Sequence, residues 1–247
     1  MTNTETHSPD SADAIGQPRS RLRAALPWLT ALSAAFAIAA FVGMLPAALA
    51  FVFKPLTTLL VMAHAWPRGV GQSNQRGLIR AGLFLSLAGD VFLLWPQQGF
   101  LPGLVAFLLA HLAYIAAFCV PVRFAAKPLA FVAYAALAAL ILSQLWPGVP
   151  GALRLPVLAY VACLATMAAQ AGAWWRSRVC TAAPDLQLAR AAALGGLLFM
   201  ASDSLLAINK FGAPLPLSSL WILLTYWAAQ WCIAGSLAPR SNRSAMR

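Results

Sequence analysis

Residues 100–120 read FLPGLVAFLLAHLAYIAAFCV, and runs of this length and character recur from residue 24 to residue 238 with only short breaks of Pro, Gly and Arg between them. An apolar run of about 18 to 22 residues is long enough to cross a bilayer once as a helix. Eight spans are expected, at roughly 24–42, 45–66, 78–95, 100–121, 128–146, 152–175, 188–209 and 216–238. In hydrocarbon the backbone must satisfy its own hydrogen bonds, which leaves helices or closed barrels. Barrel strands would alternate apolar and polar residues over ~10-residue segments, and these runs are continuous. The expected fold class is therefore an all-α, polytopic membrane helix bundle. Composition agrees, with 61% hydrophobic and 9% charged residues.

The flanks read differently. Residues 1–23, MTNTETHSPDSADAIGQPRSRLR, are polar and lack apolar periodicity, so a disordered cytoplasmic tail is expected there, a transmembrane helical domain at 24–238, and a second cytoplasmic tail at 239–247. A cleaved signal peptide is the competing reading of the N-terminus. Its apolar region would be 24–42, longer than usual for such a segment, and further spans follow at once.

Lys and Arg in short loops accumulate on the cytoplasmic side of a membrane. Fourteen of the seventeen basic residues fall on one side of the expected topology: Arg19, Arg21, Arg23, Arg68, Arg76, Arg80, Arg123, Lys127, Arg176, Arg178, Arg190, Arg240, Arg243 and Arg247. Arg154 and Lys210 fall on the other side, and Lys54 lies within a span. Both termini are thus expected in the cytoplasm, in an integral protein of the bacterial inner (cell) membrane. The net charge of +11 is spread as topology signals, with no basic patch interleaved with aromatics, so no nucleic-acid partner is expected. Cys119, Cys163, Cys180 and Cys232 show no CxxC spacing, and His7, His64 and His111 form no HxxxH or HExxH motif. No metal site and no cofactor are expected.

Of six acidic residues, Glu5, Asp10 and Asp13 are in the tail and Asp185 is in a loop. Asp90 and Asp203 remain for the membrane, where an unpaired charge costs about 2.5–3.5 kcal/mol on insertion scales. Such a cost argues for a use. GLFLSLAGDVFLL at 82–94 and GGLLFMASDSLLA at 195–207 share a Gly eight residues before the acid, a small pair just before it, and Leu three residues after it. This suggests a weak parallel repeat of two four-helix halves. Measured along the spans, Asp90, Asp203, Lys54, Tyr226 and His111 lie roughly 8–16 Å from the outer end, on five different helices. A bundle can gather them around one cavity.

Each residue has a structural alternative. Lys54 can neutralise an aspartate or snorkel to the interface. His111 in FLLAHLAYIAAF can be a bundle residue. Tyr226 and Gln230, four apart, share a helix face and can simply link helices. Ser86 lies one turn before Asp90 on a small-residue stripe that suits close helix packing, and His64 suits the interface.

KPLTTLL at 54–60, LFLSLAGDVFLLWP at 83–96, FLLAHLAYIAAF at 107–118, FMASDSLLA at 199–207 and YWAAQWCIAGS at 226–236, in this order, resemble the YhhN-type lysoplasmalogenase family. The resemblance covers about residues 26–238. It implies a multi-pass membrane enzyme that hydrolyses the vinyl ether bond of lysoplasmalogens to a fatty aldehyde and a glycerophospho-alcohol. Its partners would be a lysophospholipid substrate and membrane lipids. Asp90 and Asp203 would be the catalytic pair, with Lys54, His111, Tyr226, Gln230 and Ser86 binding substrate or supporting them. The tail and the Arg-rich loop at 176–190 fall outside the resemblance.

Vinyl ether hydrolysis begins with protonation of the carbon beta to oxygen, and water then captures the resulting oxocarbenium ion. Two carboxyls suffice, one giving the proton and the other stabilising the cation and orienting water. The sequence does not say which aspartate takes which role. A proton-coupled transporter using the same buried acids is the rival from another class. A scaffold protein would leave the acids without a purpose.

The charge count makes a topological prediction. Reporter fusions at the N-terminal tail, after Arg123 and after Arg247 should report cytoplasm, and fusions near Gly99 and Gly148 the opposite side. A C-terminus found outside the cytoplasm would overturn it.

Overall fold

The computed structural model describes residues 17–239, whose regular structure is eight α-helices and one 3-10 turn at Trp146–Gly148. Eight helices follow in order: α1 (Gln17–Phe41), α2 (Ala48–Ala65), α3 (Ser73–Phe92), α4 (Phe100–Cys119), α5 (Pro128–Leu145), α6 (Gly151–Arg178), α7 (Ala183–Phe211) and α8 (Ser218–Gly235). Each expected span matches one of them. The expectation of a disordered tail over 1–23 is corrected in part, because α1 already begins at Gln17. Residues 1–16 and 240–247, where the remaining tail expectations fall, lie outside the described residues. Pro55 and Pro156 sit inside α2 and α6, which continue through them.

Six of the eight helices are long and apolar enough to cross a membrane by length and composition. The other two are α3, which carries Arg76, Arg80 and Asp90, and α8, which carries Tyr226 and Gln230. Their polarity has a structural cause in the arrangement of the bundle. Packed neighbours run α2–α3–α4–α6–α7–α8 and back to α2, a closed ring of six helices. Helix α1 lies outside it against α2 and α8, and α5 lies outside it mainly against α6. The polar faces of α3 and α8 turn into the ring, while Leu129, Val132, Leu140 and Leu155 point outward. An apolar exterior around a polar centre is what a lipid solvent selects. The protein is an integral membrane protein.

Shifting every label by four maps α1–α2, α2–α3, α3–α4 and α2–α8 onto α5–α6, α6–α7, α7–α8 and α6–α4, all of which are packed pairs. This adjacency supports a repeat of two four-helix halves. The glycines paired in the sequence comparison play one role in both halves, since Gly82 faces Tyr114 across α3–α4 and Gly195 faces Ile233 across α7–α8. In a membrane, small residues let backbones approach where no hydrophobic force drives association.

A methyl group at Gly195 would stand 2.7 Å from Ile233 Cγ1 and 3.0 Å from the Ala229 carbonyl oxygen, whereas one at Gly77 would meet nothing within 4 Å. Gly195→Val should therefore destabilise the bundle by about 1–3 kcal/mol, the usual range for overpacking. Gly77→Ala, inside α3 with open space around it, should be tolerated and stabilise by up to about 1 kcal/mol. Thermal unfolding of the detergent-purified variants, followed by loss of the monodisperse chromatography peak, checks both.

Candidate active site

A cavity of about 490 Å³ opens inside the bundle at the end where α7 gives way to α8. Asp90, Asp203, Lys54 and Tyr226 line it, together with Tyr160, so five helices converge there. The rest of the wall is largely apolar, including Leu104 and Phe107 of α4, Ala138, Ile141 and Leu142 of α5, and Leu164 of α6.

Asp90 is almost wholly buried and is held from two helices, α2 and α8. Its Oδ2 accepts hydrogen bonds from the Thr58 hydroxyl on α2 at 2.6 Å and from the Tyr226 hydroxyl on α8 at 2.8 Å. Its Oδ1 lies 3.8 Å from Lys54 Nζ, an ion-pair distance with both side chains buried. Lys54 therefore neutralises Asp90 and does not snorkel away. The donors are themselves held, since Trp227 Nε1 donates to Thr58 Oγ1 at 3.2 Å and Gln230 Nε2 donates to the Tyr226 hydroxyl at 3.3 Å. Tyr114 in turn donates to Gln230 Oε1 at 2.7 Å, with Ser86 Oγ at the edge of hydrogen-bonding range of the Tyr114 hydroxyl. Gln230 and Ser86 do not line the cavity. They belong to the network that orients Tyr226.

Asp203 has a simpler setting. Its Oδ2 accepts a hydrogen bond from the Tyr160 hydroxyl on α6, and no basic group stands within salt-bridge distance among the described residues. The two halves are thus related but unequal. In each, a hydroxyl from the second helix binds the aspartate of the third, and only the first half adds a lysine.

His111 does not reach the cavity. It is fully buried, edge-on to Phe199 with ring centroids 4.6 Å apart and to Tyr160 at 5.2 Å. Neither ring nitrogen has a hydrogen-bond partner among the described residues. His64 stacks on Trp231 with centroids 3.8 Å apart and does not line the cavity. Sequence reasoning missed Tyr160 and Thr58. Tyr160 carried a weak signal as the one aromatic hydroxyl in an Ala-, Leu- and Val-rich helix, and Thr58 lies within the KPLTTLL motif without being singled out.

Removing one partner of a buried ion pair leaves the other uncompensated, at about 3–5 kcal/mol. Lys54→Met should accordingly lower the unfolding temperature, and adding Asp90→Asn should restore part of the loss. Unfolding of the wild type, the two single variants and the double variant tests this coupling, and strict additivity would show the pair to be energetically idle.

No solved structure matches this chain. Among curated relatives, lysoplasmalogenase TMEM86A of Homo sapiens is 37% identical over 161 residues, covering 63% of this chain and 63% of the relative. Lysoplasmalogenase TMEM86B of Sus scrofa is 35% identical over 187 residues, covering 74% and 72%. The lysoplasmalogenase of Mycobacterium bovis is 35% identical over 166 residues, covering 64% and 59%. The chain thus spans under two thirds of the length of the human and mycobacterial relatives it matches. The YhhN family model matches residues 49–237, a stretch that holds every residue of the two carboxyl sites, and on that match the chain belongs to the YhhN family.

Proposed function

We propose that this protein is a membrane hydrolase that cleaves the vinyl ether bond of lysoplasmalogen-type lipids, releasing a fatty aldehyde and a glycerophospho-alcohol. The relatives' names support the substrate class. The observation that carries the chemistry is the unequal pair of carboxyls facing one cavity, with Lys54 beside Asp90 and no cation beside Asp203. Asp90 then acts as the carboxylate and Asp203 as the carboxylic acid. Asp203 gives its proton to the carbon beta to the ether oxygen, and the oxocarbenium ion forms near the Asp90 charge. Water adds to the cationic carbon and loses a proton to Asp90. The hemiacetal hydroxyl then returns a proton to Asp203, the carbon–oxygen bond to glycerol breaks, and Asp90 protonates the departing alcohol oxygen. Both carboxyls end as they began, with one water consumed. Tyr160 and Tyr226 keep each carboxyl turned toward the cavity. In the topology given by the charge count, both termini are cytoplasmic and the cavity opens toward the outer leaflet of the bacterial inner membrane.

Asp203→Asn keeps the shape and the Tyr160 hydrogen bond but removes the transferable proton. It should lower aldehyde release from 1-alkenyl lysophospholipid by about 10²–10⁴-fold, the usual contribution of general acid catalysis. Asp90→Asn should do likewise once its fold is verified, and the double variant should be about as inactive as either single one, as for residues that act as a unit. Trapped aldehyde from purified, folded variants is the measurement. Near wild-type rates in both single variants would leave the aspartates as packing residues and sink the proposal.

A further inference from the structure

The lining of the cavity changes character with depth. At its mouth stand Lys210 and Asn209 at the end of α7 and Ser218 and Ser219 at the start of α8. Asp203 lies seven residues before Lys210, nearly two turns and so on the same helix face, about 10 Å deeper at 1.5 Å per residue. Deeper again come Met200, Leu164 and Ala138, all apolar. A ligand that fits this order has an anionic or polar end, a reactive centre, and then a hydrocarbon chain.

Two cations line the cavity among the described residues, and they differ in what they already hold. Lys54 is paired with Asp90. Lys210 has no carboxylate within salt-bridge distance, and its ammonium lies 4.8 Å from the Phe100 ring centroid. Lys210 is exposed at the rim of the cavity, where an arriving ligand meets it. Asn209 Oδ1 accepts a hydrogen bond from the Leu215 backbone N–H at 3.0 Å, fixing the loop that brings Ser218 and Ser219 to the mouth. The other cation at this end, Arg154, is turned to the Val149 carbonyl and the Trp146 ring and does not line the cavity.

Building on the lysolipid reading above, we infer that Lys210, with Ser218 and Ser219, is the subsite that recognises the head-group phosphate. The lipid then lies with its head at the α7–α8 end and its chain running inward past the carboxyls. In a lysophospholipid the glycerol carbons separate the phosphate from the ether oxygen, so a phosphate at Lys210 puts the ether beside Asp203. Lys210 is a binding residue here, and its loss spares the chemistry.

Binding is measured apart from turnover, with a saturated 1-alkyl lysophosphocholine that cannot be hydrolysed and a 1-alkylglycerol without phosphate, each added to protein in nanodiscs. Lys210→Ala should weaken the phosphate-bearing ligand about tenfold, the loss of one charge-assisted hydrogen bond. It should leave the alkylglycerol unchanged, and Lys210→Arg should keep most of the affinity. On 1-alkenyl lysophospholipid, Lys210→Ala should raise KM while kcat stays near wild type. Equal binding of the phosphate-bearing ligand by wild type and Lys210→Ala, equal weakening of both ligands, or no binding by the wild type would each overturn the subsite. Displacement of the lipid by millimolar inorganic phosphate alone would overturn the head-group assignment in favour of a free anion. Lys210-dependent binding without aldehyde release would uphold the subsite and reject the hydrolase. Aldehyde release with a KM indifferent to Lys210 would do the reverse.

Discussion

A carboxylate at membrane depth must be given donors by the protein, because no bulk solvent is there to supply them. Asp90 shows how much structure this demands. A hydroxyl from α2, a hydroxyl from α8 and an ammonium from α2 converge on it, and Trp227, Gln230 and Tyr114 hold those donors in place. The contacts span α2, α3, α4 and α8, so satisfying one acid fixes the relative rotation of four helices. Networks of this kind are costly when partly satisfied and specifying when complete. The ring of six helices is the enclosure that lets the network close.

The two halves solve the same problem with different means. Asp203 keeps the hydroxyl from the second helix of its half and lacks the lysine. Around a single cavity this gives one carboxyl with a compensating charge and one without, from elements packed in the same order. Two identical half-sites would compete for the same protonation state. Divergence between the halves gives the two acids different surroundings.

Much of this arrangement was legible in the chain because a lipid solvent makes few exceptions. Apolar runs gave the helices, and the rarity of charge within them singled out Asp90, Asp203 and Lys54. Tyr226 and Gln230 were visible through their i, i+4 spacing, and the structure links them to each other and to Asp90. What stayed hidden depended on rotation and long-range pairing. Counting residues along a span gives the depth of His111 but not the direction it faces, and it packs against Phe199 and Tyr160 outside the cavity lining. Tyr160 meets its partner 43 residues further along, across two helices, so no local spacing marks the pair. The ring itself, with α1 and α5 outside it, was hidden because all eight spans are similarly apolar. Basic residues among 17–23 resembled a solvated tail, although the backbone there is already helical.

The position of α5 has a consequence for the shape of the cavity. It stands outside the ring yet contributes Ala138, Ile141, Leu142 and Leu145 to the cavity wall, and none of the hydrogen bonds or the ion pair that hold the carboxyls involves it. Side-chain volume on this one helix therefore alters the space inside the cavity without touching the groups that hold Asp90 and Asp203. Substitutions on a peripheral helix can thus reshape the cavity and leave the donors around Asp90 and Asp203 untouched.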